Sequence, residues 1–182
     1  MKPDISPQEL RNLIRSRQWT TPTSGSASGY LQANLVMLPA AEAFNFLLFC
    51  VRNPKPCPIL DVLEPGQTEP VIAPGADLRT DLPRYKIFEN GEFKTEVEDV
   101  GDYFEAGMVS FLLGCSFSFE NAMVAAGLPI RNMEEDKNVS MYTTNKSCTP
   151  AGPDCGCRFA EDLPDESARH GSDESGWLPE RL

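Results

Sequence analysis

The sequence predicts a mixed α/β protein folded as a single layered domain. The segment from Ala40 to Val51 is dense in apolar residues and has the length of a largely buried helix. Asn90-Gly91, between two strand-like runs, is typical of a tight β-hairpin turn. The 182-residue chain is 41% hydrophobic, which is ordinary for one globular core. We therefore expect helices packed on a sheet around that core.

The first element is predicted to be a helix from residue 7 to about residue 17. Ser6 is a good helix cap, Pro7 suits the first helical position, and Glu9 completes a capping box. The segment that follows, "TTPTSGSASG" at residues 20–29, is rich in residues that favour turns. We expect it to be a loop.

The next segment, "YLQANLVMLP", predicts a strand. In an extended chain Gln32, Asn34 and Val36 share one face, whereas Leu35 and Met37 lie on the other. Two amides beside a core strand indicate a lined pocket, although solvation at a sheet edge explains them equally well.

A helix at residues 40–51 should follow and end before "RNPKPCP". The prolines in that stretch restrict their own φ angles and the residues before them, which favours a stiff connector into the strand-like "ILDVL". Such a connector could hold Arg52 or Lys55 in place for a carboxylate ligand. A solvated loop is the commoner outcome.

A β-hairpin is predicted at residues 84–97, turning at Asn90-Gly91. Just before it, Asp77, Arg79 and Asp81 alternate in charge, so that all three could lie on one side of an extended segment. These residues are candidates for a functional site, and surface ion pairing is the alternative.

The stretch "FLLGCSFSFE" at residues 111–120 combines an apolar run with small polar residues. Its apolar part, "MVSFLLG", is too short to assign to helix or buried strand. A helix is predicted at residues 118–126. Its first N–H groups, with the hydroxyls of Ser116 and Ser118, could hold a carboxylate or an oxyanion. Simple N-capping is an equally good explanation.

Histidine-dependent nucleophilic catalysis is disfavoured by the sequence. The single histidine, His170, lies in the acidic segment at residues 153–182, which we expect to be a disordered tail. The run Gly114 to Ser118 also lacks the closing glycine of a nucleophile elbow. Cys148, Cys155, Cys157 and His170 match known zinc spacings poorly, so no metal is predicted. No nucleotide-binding motif is present, so we expect no cofactor.

The charge balance limits the classes of partner. The chain has 16 basic and 27 acidic residues, a net charge of −11, which repels nucleic acids and anionic membranes. Its apolar runs are far shorter than the ~18 residues of a membrane helix. The polar start shows no signal-peptide pattern. We therefore expect a cytoplasmic protein with six free thiols and a small-molecule ligand, and leave a homo-oligomer open.

Five phrases along the chain resemble the hydro-lyase / D-glutamate cyclase family: "GYLQANLVMLP", "LLFCVRNPKPCPILDV", "PGADLRTDLPRYKIF", "FLLGCSFSFENAMVAAGLPIRN" and "NVSMYTTNKSCTPAG". The resemblance covers about residues 7–152. It implies a lyase that eliminates water, with closure of D-glutamate to 5-oxo-D-proline as the named reaction. It also implies a mitochondrial location as the alternative to the cytoplasm. Family members continue beyond the "PAG" element, so residues 1–152 are expected to be a partial domain, incomplete at its C-terminus.

Residue chemistry suggests which side chain could take each role in such a reaction. Water elimination needs a base, an acid and groups that hold carboxylates. We assign Asp81 as the base, Tyr142 as the proton donor, Arg79 as a carboxylate clamp, and Ser116 with Ser118 as the oxyanion holder. The substrate would be oriented by three amides, Gln32, Asn34 and Asn145. A non-catalytic ligand-binding fragment, or an inactive truncated product, is the alternative.

Overall fold

The computed structural model describes residues 5–134 and 147–152. Four helices and five strands are found there, which confirms the predicted mixed α/β domain. The predicted tail at residues 153–182 lies outside the described residues. In chain order the elements are α1 (Pro7–Arg15), β1 (Ala33–Pro39), α2 (Ala40–Arg52), β2 (Ile59–Val62), β3 (Tyr85–Glu89), β4 (Glu92–Val97), β5 (Met108–Gly114), α3 (Phe117–Ala125) and α4 (Arg131–Glu134).

The N-terminus of α1 forms the predicted capping box. The Ser6 hydroxyl accepts a hydrogen bond from the Glu9 N–H at 3.3 Å, and the Glu9 carboxylate accepts the Ser6 N–H at 3.0 Å. The helix ends at Arg15, two residues earlier than predicted. The reason is that Arg17 takes a left-handed conformation with φ of 58°, while its N–H bonds to the Ile14 carbonyl.

A three-stranded antiparallel sheet with the order β1-β5-β2 forms the centre of the domain. Strand β5 pairs with β1 on one side and with β2 on the other, and Val36 lies opposite Phe111. The apolar run "MVSFLLG", which sequence periodicity left open, is therefore the central strand. Both of its faces are covered, which explains why it lacks the polar alternation of a half-exposed strand.

Two apolar clusters pack on opposite faces of this sheet. On one face Val36 and Phe111 contact α2 through Phe46, whose ring lies 4.9 Å from that of Phe111 at an interplanar angle of 78°. On the other face Leu112 packs with Leu63 and Leu78, beside the half-buried Leu35 and Met37. The predicted division of β1 into two faces is confirmed.

The hairpin β3–β4 forms as predicted. Asn90 and Gly91 both have positive φ angles, 54° and 78°, as a type I′ turn requires. Next to the turn, the rings of Phe88 and Phe93 make an edge contact at 5.9 Å. The pairing register shifts between Ile87 and Phe88, so the hairpin contains a bulge.

The predicted extended segment at Asp77, Arg79 and Asp81 is wrong, because these residues form a turn. The Asp81 N–H bonds to the Asp77 carbonyl at 3.0 Å. The Asp77 carboxylate accepts the Arg79 N–H at 3.0 Å, and the Asp81 carboxylate accepts the Asp77 N–H at 2.8 Å. Aspartate side chains that bond to nearby backbone groups favour turns over strands.

Tyr85 joins this turn to the hairpin. Its hydroxyl donates to the Leu78 carbonyl at 2.8 Å and accepts the Leu82 N–H at 3.1 Å. The side chain is buried, and burial raises the pKa of the phenol above its ordinary value. The hydroxyl therefore stays protonated and keeps its donor function.

We expect Tyr85→Phe to lower the free energy of unfolding by about 1–3 kcal/mol, because a buried carbonyl and an N–H lose their partner. Urea denaturation measures this change. Tyr30 is 54% exposed, so Tyr30→Phe is the matched control and should change stability by less than about 0.5 kcal/mol. Equal stability of the two variants would show that the Tyr85 hydroxyl bonds add nothing.

Candidate active site

A broad open groove runs along the domain. Its volume is about 2590 Å³, well above the ~300–1,000 Å³ typical of small-molecule pockets, so it is an open face and not an enclosed cavity. Five of the predicted site residues contribute to its lining: Gln32, Asn34, Asp81, Ser116 and Ser118. Arg79, in contrast, is not part of that lining.

The turn from β5 into α3 is tied to the start of β1. The Ser118 hydroxyl accepts the Gln32 N–H at 3.0 Å, and the Cys115 thiol donates to the Gln32 carbonyl at 3.4 Å. The Gln32 side chain accepts the Gly25 N–H at 3.3 Å, which fixes the loop at residues 20–29. Ser118 and Gln32 thus form one connected unit at the groove wall.

The N-terminus of α3 is occupied by the thiol of Cys115. Burial raises the pKa of this thiol, and the nearby Glu120 raises it further, whereas hydrogen bonds from the Phe117 and Ser118 N–H groups oppose the shift. The thiol is therefore protonated near neutral pH. The predicted backbone anion holder at this turn stays a prediction.

Ser116 contacts a buried carboxylate that the sequence reading missed. Its hydroxyl makes no helix-capping bond and instead donates to Glu120 Oε1 at 2.5 Å. Glu120 is 3% exposed, and its Oε2 has no hydrogen-bond partner among the described residues. A buried carboxylate oxygen without a partner is costly and is a common feature of functional sites.

Glu120 could not be recognised from sequence because acidic residues are ordinary in the first turn of a helix. The only available signal was its spacing of four residues from Ser116, which places the two side chains on one helical face. Ser116 therefore lines the groove and connects it to a carboxylate behind the wall.

Asp81 lies in an ion-pair network with α1. Its carboxylate accepts from Arg15 Nε at 2.5 Å and from Arg15 Nη2 at 2.7 Å, and Arg11 Nε lies 3.7 Å away. With the Asp77 N–H as a further donor, these contacts indicate a structural anchor. The role of Asp81 as a base stays a prediction.

Arg79 is bound to its neighbour in the turn. Its guanidinium donates to both oxygens of Asp77, at 3.0 and 2.7 Å, and the pKa of Asp77 is lowered mainly by this bond. Because Arg79 is directed to Asp77 and lies outside the groove lining, the structure does not bring it together with Ser116. Its role as a carboxylate clamp also stays a prediction.

Tyr142 and Asn145 lie outside the described residues. The segment at residues 147–152 just after them is attached to α2 by Asn53, whose amide donates to the Thr149 carbonyl at 2.8 Å and accepts the Thr149 N–H at 2.7 Å. Arg52 donates to the Pro150 carbonyl at 2.5 Å. These bonds attach residues 149 and 150 to the C-terminal end of α2.

Within residues 5–134 and 147–152, no three His, Cys, Asp or Glu side chains come together in a way that could hold a metal ion. None of the helices in these segments combines the length and apolar character needed to cross a bilayer.

Comparison with known proteins shows the family. A profile described as D-glutamate cyclase matches residues 109–160, which include all of β5 except Met108, together with Ser116 and Glu120. Proteins named "Putative hydro-lyase" from Syntrophobacter fumaroxidans and Geobacillus kaustophilus are 59% and 56% identical over 149 residues. A relative of the same description from Stutzerimonas stutzeri is 55% identical over 150 residues. This chain belongs to the hydro-lyase / D-glutamate cyclase family.

The match covers most of this chain but only part of its relatives. It includes 81% of the chain for the first two proteins and 82% for the third, but 57% of each relative's length. The chain thus spans just over half the length of these hydro-lyase relatives.

Proposed function

We propose that this chain carries part of a carbon–oxygen lyase site that eliminates water from a small amino or hydroxy acid, in the manner of D-glutamate closing to 5-oxo-D-proline. The observation that carries the proposal is the Ser116–Glu120 pair. It places a hydroxyl on the groove and a buried carboxylate with an unpartnered oxygen directly behind it. The family membership gives the reaction class.

The pair supplies a route for a proton. Loss of water requires one group to take a proton and another to give one to the departing oxygen. The Ser116 hydroxyl can pass a proton from a bound substrate to Glu120, because it already donates to that carboxylate at 2.5 Å. Glu120 therefore replaces Asp81 as the group that we propose to receive the proton, and it acts through Ser116.

Polar groups beside the pair are suited to orienting a substrate. Ser118 and Asn34 line the same groove as Ser116. Asn34 lies next to Ala33, which pairs with Gly114 at the end of β5. We propose that Asn34 and Ser118 hold polar substrate atoms, with Gln32 supporting Ser118 through its N–H bond.

A cation for the substrate carboxylate is available at Lys55. It lies in the proline-rich connector, lines the groove and is exposed. The same connector reaches the turn before α3, because the Pro58 carbonyl accepts the Gly114 N–H at 2.8 Å. We propose Lys55 as the carboxylate partner at this end of the groove, in place of Arg79.

Ligand binding tests the proposal. A ligand at about 100 times its Kd adds about 2.7 kcal/mol to the free energy of unfolding, which raises the Tm of a domain this size by roughly 5–10 °C. We expect D-glutamate or 5-oxoproline to raise the Tm of the chain, and Lys55→Ala to reduce the shift. Sodium chloride at equal ionic strength is the control for salt effects. No shift with either ligand at millimolar concentration would contradict the proposal.

The second candidate is a non-catalytic ligand-binding fragment. It is favoured by the open groove and by the share of the relatives' length that the chain spans. A Tm increase with D-glutamate and no product above the uncatalysed background would support this candidate over the lyase.

A further inference from the structure

Three thiols share the apolar cluster between α2 and the sheet. Cys50, near the end of α2, is 1% exposed, and Cys57, at the end of the proline-rich connector, is 5% exposed. Cys148 is half-buried and packs against the same cluster. All three are free cysteines. The proposed reaction uses none of them.

Cys50 and Cys57 belong to one buried cluster and are linked through the backbone of Asn53, whose N–H bonds to the Cys50 carbonyl at 3.1 Å and whose carbonyl accepts the Cys57 N–H at 3.1 Å. The Cys50 thiol donates a hydrogen bond to the sulfur of Cys57, and this bond lowers the pKa of Cys57 against the opposing effect of burial. Burial, together with the nearby Cys57, raises the pKa of Cys148. Within the described residues, the Cys57 sulfur is therefore better suited than Cys148 to react as a thiolate, and Cys50 lies in the same buried cluster.

We propose that Cys50 and Cys57 are a redox modification site, which a peroxide-class oxidant converts into an intramolecular disulfide. The Cys57 thiolate attacks one peroxide oxygen, the O–O bond breaks, and a sulfenic acid forms while the other oxygen leaves as water or an alcohol. The Cys50 sulfur then attacks the Cys57 sulfur, forming the S–S bond and releasing water. Two thiols are oxidised and one peroxide is reduced, and an added dithiol reverses the change.

The connector that carries Cys57 determines how an oxidant would reach the sulfur and what a disulfide would change. Cys57 follows Pro54, Lys55 and Pro56 in the connector, and these three residues are all exposed, so local opening of this segment would give a small oxidant access to the sulfur. The Cys57 N–H bonds to the Asn53 carbonyl at 3.1 Å. A disulfide would close a ring around Asn53, the residue that holds the segment at residues 147–152.

A trypsin cleavage site lies between the two cysteines, so a disulfide between them can be detected from peptide masses. Trypsin cleaves after Arg52, so Cys50 lies in the tryptic peptide 18–52 and Cys57 in the peptide 53–79. A Cys50–Cys57 disulfide joins these two peptides. Cys115 is in peptide 95–131, and Cys148 is in peptide 147–158 together with Cys155 and Cys157. A link from Cys50 or Cys57 to either of these peptides therefore gives a mass that differs from that of the Cys50–Cys57 product.

The full chain is treated with hydrogen peroxide under native conditions and in urea, its remaining thiols are blocked, and the unreduced digest is analysed by mass spectrometry. We expect the joined peptides 18–52 and 53–79 to form faster in the native chain than in urea, and to separate after dithiothreitol. Cys57→Ser should abolish this product. Cys148→Ser, the matched control in the same cluster, should retain it.

Three results would overturn the assignment. The disulfide would be excluded if the oxidised native wild-type chain gave peptides 18–52 and 53–79 as separate fragments, each with its cysteine thiol blocked. A product that joins peptide 53–79 to peptide 95–131 or to peptide 147–158 would show a different pairing. Faster formation in urea than in the native chain would show that the folded contact does not promote the reaction. These readouts use the wild-type chain and do not depend on the stability of a variant.

Discussion

Replacing Phe111 with alanine is expected to lower the free energy of unfolding by about 3–5 kcal/mol. Phe111 is 1% exposed in the central strand β5, and its ring contacts Phe46 of α2 in an edge arrangement. Removing it takes away apolar contact area and leaves a cavity between the sheet and α2. Since small domains are stable by only about 5–15 kcal/mol, this substitution removes a large part of the total.

Urea denaturation followed by circular dichroism measures the loss in Phe111→Ala. The control is Phe44→Ala, because Phe44 is 70% exposed on α2. The control should change stability by less than about 0.5 kcal/mol. A loss below about 1 kcal/mol for Phe111→Ala would contradict the central position of β5 in the sheet.

Replacing Glu120 with glutamine is expected to lower kcat by about 10²–10⁴-fold, the range associated with loss of a general acid–base group. Glutamine keeps the size of the side chain and can still bond to Ser116, but it cannot take a proton. Because Glu120 lies behind Ser116 and does not line the groove, KM should change little. Steady-state kinetics of water elimination from D-glutamate measures both constants.

Two further variants distinguish a role of Glu120 in proton transfer from a structural role. Glu42→Gln removes an exposed carboxylate that lines the same groove and should leave kcat unchanged. Ser116→Ala should reproduce the loss in kcat, since it removes the hydroxyl that connects the groove to Glu120. An unchanged kcat in Glu120→Gln, with the Tm also preserved, would remove Glu120 from the mechanism.

The features that follow from neighbouring residues were predictable from sequence. The capping box at Ser6 and Glu9 depends on residues three apart, and the type I′ turn depends on Asn90-Gly91 alone. The two faces of β1 follow from the alternation of a strand, with Val36 on one side and Leu35 on the other.

Features that depend on distant contacts were not predictable. The turn at Asp77 and Asp81 is stabilised by Arg15, which is 66 residues from Asp81 in sequence. The assignment of β5 as a central strand needed partners on both sides, which a seven-residue apolar run does not reveal.

The candidate site was only partly predictable for the same reason. Ser116, Ser118, Gln32 and Asn34 were candidates because of their residue types and positions, and all four line one groove; their roles in binding or catalysis stay predictions. Glu120 was missed because its burial is a tertiary property. Arg79 was favoured because its neighbours are acidic, but one of those neighbours binds its guanidinium.

The most direct test of the central claim follows the conversion of D-glutamate to 5-oxo-D-proline by chiral chromatography, with the wild-type chain and with Ser116→Ala. We predict that product accumulates above the uncatalysed rate with the wild type, and that the rate falls by about 10²–10⁴-fold in the variant. Equal rates in the two chains, or no product above background from the wild type, would contradict a lyase site at Ser116 and Glu120.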